Sequence, residues 1–522
     1  MSVNKNISLL DCTLRDGAHV TGGNFGMPAI RGTIENLVEA KVDIIEVGFF
    51  NNEPHKPGST FFSSIADVRK CLPKNKGVSS FSLMADFVDV SKIEPFDGTI
   101  EYFRLSFKRH RLNWALDSAH TLMDKGYKVF INPVNCNVYT TEQYLDVIKQ
   151  VNELKPYAFS IVDTFGVMRK QDLSRIYYLV EGNLDEDITI GLHLHENLGL
   201  AFSLAQHFLE IRLPKRNITI DCSLLGMGRA PGNLCAEQIM DHMNINYGAE
   251  YNTEPALDAG DDYIAPIKRE KPWGYAIPYA LSGKYGLHRT YAEFLMNRHR
   301  LKTKDIQRIL SLIDKDHIEM FDEDYVEGLY RDYMSTSFDD TKTVTWLKNC
   351  LKNKRAFVIC PGSSIKNYKD KISSLAGMDD VFVLSVNFSP DFIKPDCMFC
   401  ANVKRVDNLR GANCSRIVTS NIVEAACNNY EHVVSYNDCV YFNEVFCEDT
   451  TLMLLHFLQR CGCTEISIAG FDGFSGDGAD YYTAAYTLEN SKKSDCSIVD
   501  DILQSTFADM NINFVTPSVH ER

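Results

Sequence analysis

Residues 7–17 read Ile7-Ser8-Leu9-Leu10-Asp11-Cys12-Thr13-Leu14-Arg15-Asp16-Gly17, a short apolar run that delivers a guanidinium and a carboxylate at its end. The same theme recurs outward along the chain. Strand-like apolar runs fall at residues 7–12, 42–48, 78–84, 100–106, 127–132, 159–163, 188–195 and 218–225. The stretches between them, such as 140–155 and 201–212, are long enough for crossover helices. Short apolar strands alternating with helices predict parallel β/α packing, with strands covered on both faces. A doubly wound sheet alternates in the same way, but eight units fit a (β/α)8 TIM barrel of about 250 residues.

Closure also gathers the polar groups. Arg15 and Asp16 follow the first run, Glu46 lies late in the second and Asp163 ends the sixth. His193 and His195 end the seventh, and the loop Gly226-Met227-Gly228-Arg229-Ala230-Pro231-Gly232-Asn233 follows the eighth. In a barrel all of these meet at the C-terminal rim, where such folds carry their chemistry. His193 and His195 are two apart on a strand, so both point to one side. An isolated pair of this kind is more often a hydrogen-bonded core feature. With Asp16 across the axis, and the Asn233 carboxamide as a further ligand, it reads as a metal site. Mixed oxygen and imidazole donors suit a divalent ion, Mn2+ or Mg2+ first, with Zn2+, Co2+ or Fe2+ as alternatives.

Arg15 stays protonated, so it is a hydrogen-bond donor to developing negative charge and not a base. Glu46 is placed to orient it from the neighbouring strand. His19, three residues beyond Asp16, has an imidazole whose ordinary pKa suits the removal of a hydroxyl proton. Arg15, His19 and Glu46 are therefore the candidate catalytic set.

The motifs Thr13-Leu14-Arg15-Asp16-Gly17, His193-Leu194-His195-Glu196-Asn197 and the Gly226 to Asn233 loop together resemble the DRE-TIM metallolyase superfamily. Its members include hydroxymethylglutaryl-CoA lyase, isopropylmalate and homocitrate synthases and 4-hydroxy-2-oxovalerate aldolase. The resemblance implies that Asp16, His193 and His195 ligate a divalent ion and that Arg15 stabilises an enolate. Arg15-Asp16-Gly17-Ala18-His19 is most similar to the aldolase branch, whose loop histidine is the base. Ala18 stands where the synthases and the CoA lyase usually carry an acid. The implied reaction is reversible cleavage of a 4-hydroxy-2-oxo acid to pyruvate and an aldehyde. The alternatives are a Claisen-type acyl-CoA synthase or lyase, and a non-catalytic scaffold.

The barrel domain is expected over residues 1–300, a helical extension over 301–352 and a second, Rossmann-like α/β domain over 353–522. In the last, Ala356-Phe357-Val358-Ile359-Cys360 leads into Pro361-Gly362-Ser363-Ser364-Ile365. A later strand ends in Asn387, and another run leads to Gly470-Phe471-Asp472-Gly473. Strand, glycine-serine turn and helix can hold phosphate, so Gly362, Ser363, Ser364, Asn387 and Asp472 are candidates for a nucleotide or nucleotide-sugar site, against a purely structural turn. These short motifs resemble bacterial sialyltransferase-like proteins and the related DUF115-like group, with Ser363 where that family usually has proline. Cys397-Met398-Phe399-Cys400 has CxxC spacing without a second pair, so inert buried thiols are expected.

The hydrophobic share of 45% and charged share of 24% are those of a globular protein. A formal charge of -15 argues against nucleic acid as the main partner. No stretch has the roughly 18 apolar residues of a membrane span, and the start lacks a signal-like apolar region. A cytoplasmic enzyme acting on small 2-oxo acids and aldehydes, and assembling as a homo-oligomer, is the expectation.

Overall fold

The computed structural model describes residues 6–134, 136, 139–298, 300–318, 320–335, 337–473, 481–482 and 496–521. It divides into two compact units, Met1–Arg289 with Ile318–Met320, and Thr290–His317 with Phe321–Arg522. The boundary expected at residue 300 thus lies earlier. The helix Thr290–Asn297 leads to Arg300, whose buried guanidinium donates to the Ala401 carbonyl at 2.6 Å inside the second unit. Among the described residues no helix is long and apolar enough to cross a membrane.

The first unit is a closed barrel of eight parallel strands, as the sequence predicts. They are β1 (Ile7–Asp11), β2 (Ile44–Phe50), β3 (Ser80–Asp86), β4 (Tyr102–Phe107), β5 (Lys128–Pro133), β6 (Ala158–Asp163), β7 (Thr189–Leu194) and β8 (Ile218–Cys222). Each pairs with the next, and β1 closes the ring by pairing with both β2 and β8, at Leu10 to Ile44 and Ile7 to Ile218. Outward residues such as Ile45, Phe103, Ile131, Phe159, Leu192 and Ile220 pack under the helices. The predicted crossover helices run from Thr141 to Leu154, with a Thr140–Gln143 capping box, and from Ala201 to Ile211.

The inner face changes character along the axis. Leu10, Ile44, Tyr102, Phe130 and Ala158 form a buried apolar plug. Two residues further along the same strands, where alternation restores the inward face, stand Glu46, Arg104, Asn132 and Ser160, while Cys12 still belongs to the plug. A strand buried on both sides therefore has a dry floor and a polar storey above it. Asp163 has the other parity. Its carboxylate accepts from the Val167 and Met168 amides at 2.9 and 3.1 Å, and burial raises its pKa to about 7. It shapes the β6 loop, whereas the sequence pattern predicts a group facing the rim.

The second unit has a seven-stranded parallel sheet built from β9 (Arg355–Ile359), β10 (Val381–Val386), β11 (Cys397–Cys400), β12 (Ser415–Thr419), β13 (His432–Val434), β14 (Glu465–Ala469) and β15 (Asn511–Phe514). The spatial order is β13-β12-β11-β10-β9-β14-β15. Cys397 and Cys400 are both buried in β11. Their odd separation turns them to opposite faces, and burial pushes both thiols up in pKa.

Candidate metal centre

Asp16, His193 and His195 each offer one ligand atom, and the three atoms lie within 4.8 Å of one another. Three elements bring them together. Asp16 sits in the single helical turn Thr13–Asp16 directly after β1. His193 is the inward residue near the end of β7, and His195 follows in an isolated bridge to Asn233. The two imidazole rings are 5.0 Å apart and nearly perpendicular.

Each imidazole is held through its Nδ1. That of His193 lies 2.9 Å from the Asp221 carboxylate, and that of His195 lies 3.3 Å from the Gly232 carbonyl. Both partners can only accept, so both rings carry their proton on Nδ1. Nε2 is left with a lone pair, the arrangement that fixes histidine as a metal ligand. Burial, with His193 beside it, pushes the His195 pKa down to about 4, so this ring is neutral at physiological pH. Burial alone would raise the Asp16 carboxyl. The charge of the adjacent Arg15 outweighs it and holds Asp16 well below the usual carboxylate range.

Asn233, on the β8 loop, lies against this cluster. Its Nδ2 donates to Asp16 Oδ2 and, at 3.1 Å, to the Met227 carbonyl, while its buried Oδ1 has no partner among the described residues. Buried polar atoms are normally satisfied. An orphaned carboxamide oxygen beside a carboxylate and two imidazole lone pairs fits a divalent cation. Gly228 is required here, because a Cβ on it would stand 2.5 Å from Asn233 Nδ2 and 2.9 Å from Asp16 Oδ2. Gly228→Ala is expected to weaken Mn2+ binding by roughly 10- to 100-fold, the cost of disturbing a group that orients metal ligands. Titration of the metal-free variant, with circular dichroism to check the fold, measures this.

Arg15 is 6% exposed. Its Nε donates to Glu46 Oε2 at 2.7 Å and its Nη1 to Asp16 Oδ1 at 3.0 Å, and its Nη2 has no partner among the described residues. Burial opposes its charge, but Glu46 and Asp16 more than restore it. His19 stands at the open side, its side chain 39% exposed, with Nε2 3.9 Å from Asp16 Oδ1 and its ring edge-on to Phe49. Desolvation lowers its pKa against the pull of Asp16. Glu46 is fully buried, on the barrel side of a bulge where β2 shifts register against β3.

Two buried charges of this centre escaped the sequence reading. Arg104 on β4 donates from Nη1 to Glu46 Oε2 at 2.9 Å and from Nη2 to Asp221 Oδ2, and Asp221 on β8 is the partner of His193. The available signal was a charge inside an otherwise apolar run, Tyr102-Phe103-Arg104-Leu105 and Ile218-Thr219-Ile220-Asp221.

The C-terminal candidates occupy a different place. Chain order reverses at β9, which lies between β10 and β14, and crevices at such switch points hold ligands in open α/β sheets. Gly362 donates its N–H to the Gly470 carbonyl at 2.9 Å. The Ser364 amide donates to Asp472 Oδ2 at 2.7 Å and the Ser364 hydroxyl to Asp472 Oδ1. Ser363 begins the tight turn Ser363–Asn367. Asn387 follows β10 with φ of 60° and accepts from the Ala401 amide at 3.3 Å. The Ser364 N–H, which a phosphate would need, thus already faces a carboxylate.

The HMGL-like family model matches residues 99–259. The chain is 24% identical over 267 residues to 2-isopropylmalate synthase of Ruminiclostridium cellulolyticum, covering 47% of this chain and 50% of that protein. It is 20% identical over 328 residues to 4-hydroxy-2-oxovalerate aldolase of Pseudoalteromonas translucida, covering 58% and 89%. The crystal structure of hydroxymethylglutaryl-CoA lyase from Pseudomonas aeruginosa is 16% identical, with 52% of this chain and 96% of that one covered and a TM-score of 0.41. The chain spans about half the length of the isopropylmalate synthases it matches.

Proposed function

We propose, from the match of residues 99–259 to the HMGL-like family model and from the geometry of the site, that this protein is a divalent-metal-dependent aldolase of that superfamily. It cleaves a 4-hydroxy-2-oxo acid to pyruvate and an aldehyde, or joins the two. The observation that carries this reading is the Asp16, His193 and His195 cluster with the Arg15 guanidinium beside it and His19, its pKa lowered by burial, at the open side. Asp16, His193, His195 and Asn233 would hold the ion, which when bound supplies Lewis-acid polarisation of the 2-oxo group.

The chain's own residues supply the remaining steps. His19 Nε2 accepts the proton of the C4 hydroxyl. The C3–C4 bond then breaks, its electron pair passes into the 2-oxo group as an enolate, and the aldehyde departs. Arg15 donates to the oxygen on which that charge develops, held in direction by Glu46. Protonation at C3 gives pyruvate. Buried groups on the inner face without a partner among the described residues, Ser82 Oγ, Ser160 Oγ and both amide atoms of Asn132, leave polar positions for substrate or water.

A Claisen-type reaction on an acyl-CoA is the second reading, favoured by the matches to isopropylmalate and homocitrate synthases. Incubation with Mn2+ and pyruvate in D2O separates the two. Methyl-proton exchange without CoA, abolished by chelation, is expected, and a strict need for acetyl-CoA would overturn the aldolase reading. His19→Ala is expected to lower cleavage by roughly 100- to 10,000-fold, the range for a lost general base, with part of the pyruvate exchange retained. Unchanged steady-state cleavage would remove His19 from the mechanism.

For the second unit we propose a nucleotide or nucleotide-sugar ligand in the crevice between β9 and β14. Asp472, held by Ser364, would accept from sugar hydroxyls, with phosphate lying away from it. Saturation-transfer NMR with nucleoside diphosphates, on the full chain and on Asp472→Asn, tests this.

A further inference from the structure

Five side chains of the barrel interior alternate in charge, and a sixth, the His193 imidazole, ends the continuous chain they form. It runs from Asp16 to Arg15 at 3.0 Å, to Glu46 at 2.7 Å, to Arg104 at 2.9 Å, then to Asp221, and from there to His193 at 2.9 Å. It starts and ends on residues of the metal cluster. Both carboxylates between those ends are bridged by Arg104, which is 1% exposed and whose Nε has no partner among the described residues. Resting on the reading of the cluster as a metal centre, we infer that Arg104 is a positioning residue that couples the guanidinium of Arg15 to the ligand geometry of His193.

The physical argument has two parts. Glu46 Oε2 accepts from both arginines, so its position, and through it the direction of Arg15, depends on Arg104. Asp221 Oδ2 likewise accepts from Arg104 and His193. Arg104 thereby keeps that carboxylate where it fixes the His193 proton on Nδ1 and leaves Nε2 for the ion. A planar guanidinium can address two carboxylates at once in a fixed fork, whereas an ammonium is a point donor on a flexible stem. The chain also sets the charge of the site. Asp16, Glu46 and Asp221 against Arg15 and Arg104 leave one net negative charge in a buried space. A dication reverses it, which matches a monoanionic 2-oxo acid.

The test uses the full-length protein, stripped of metal and titrated with Mn2+. Wild type is expected to bind one ion, and long-range proton–nitrogen correlation in the metal-free state is expected to show His193 protonated on Nδ1. Asp221→Asn and Arg104→Gln should each weaken Mn2+ binding by roughly 10- to 100-fold, as the loss of partners that orient metal ligands does. Arg104→Gln should in addition slow pyruvate methyl exchange at saturating Mn2+. Arg104→Lys should recover the fold but not the exchange rate. In combination with Arg15→Ala, Arg104→Gln should add little further loss of exchange. Unchanged Mn2+ affinity in both single variants, or His193 protonated on Nε2, overturns the coupling while leaving the metal centre standing. Should Arg104→Gln fail to fold, the Asp221→Asn affinity and the tautomer of wild type still decide the question. No Mn2+ bound by wild type would instead overturn the metal centre itself.

Discussion

Arg15→Ala is expected to lower kcat for aldol cleavage by roughly 100- to 1000-fold, the usual cost of a lost donor to a developing oxyanion, while one equivalent of Mn2+ still binds. The guanidinium lies against the metal cluster without being a donor to the ion, since a protonated guanidinium has no lone pair to give. Its open Nη2 points the loss at the oxygen of the reacting group. A structural cost comes with it. Removing one member of a buried pair leaves its partners under-compensated, typically by about 3–5 kcal/mol, and Glu46 would retain Arg104 as its only cationic neighbour in the chain of charge. A lower Tm is therefore expected, but with Mn2+ present the fold and the stoichiometry should persist. Loss of metal in this variant would show that Arg15 holds the cluster together; turnover within tenfold of wild type would remove it from oxyanion stabilisation. Arg15→Lys, which keeps charge but not the fork, should recover Tm more than kcat.

The barrel was legible because its strands are covered on both faces, so each announces itself as an apolar run between polar connections. The ends were less so. The second run read as 42–48, but pairing spans Ile44–Phe50. Gly48 looks like a terminator, yet at φ of 154° it is the point where β2 bulges and carries on into Phe49 and Phe50. Asp16, His193 and His195 could be grouped because a period of two and the common rim of a barrel are general rules. Arg104 and Asp221 could not be paired, since their contact depends on the register with which distant strands close across the interior. In the second unit β11 hid behind its CxxC spacing, and β12 and β13 are too short and mixed, Ser415-Arg416-Ile417-Val418-Thr419 and His432-Val433-Val434, to stand out before the sheet exists. The Gly362 to Ser364 turn was visible, but its engagement by Asp472 was not, because that contact joins residues 108 apart in the chain.

Asp16→Asn should have the largest effect of all, because it preserves shape while deleting the one charged ligand. The carboxamide fills the same space between Arg15 and Asn233, so the turn after β1 and the packing around it are expected to survive. The electrostatic balance does not. With Asp16 neutral, Glu46 and Asp221 only offset Arg15 and Arg104, and the interior no longer holds a net negative charge for a cation to neutralise. Two imidazoles alone would remain as donors from the cluster. Mn2+ affinity should then fall by more than the roughly 10- to 100-fold that follows loss of an orienting partner, and cleavage and pyruvate exchange should drop to background. The Asn233 Nδ2 donor would also meet an amide in place of a carboxylate, which weakens the contact that turns its Oδ1 towards the site. Calorimetric titration of metal-free protein, paired with elemental analysis after dialysis against Mn2+, checks the outcome. Stoichiometric, tightly held metal in Asp16→Asn, with turnover intact, would mean that the ion sits elsewhere and that the aldolase reading is wrong at its root.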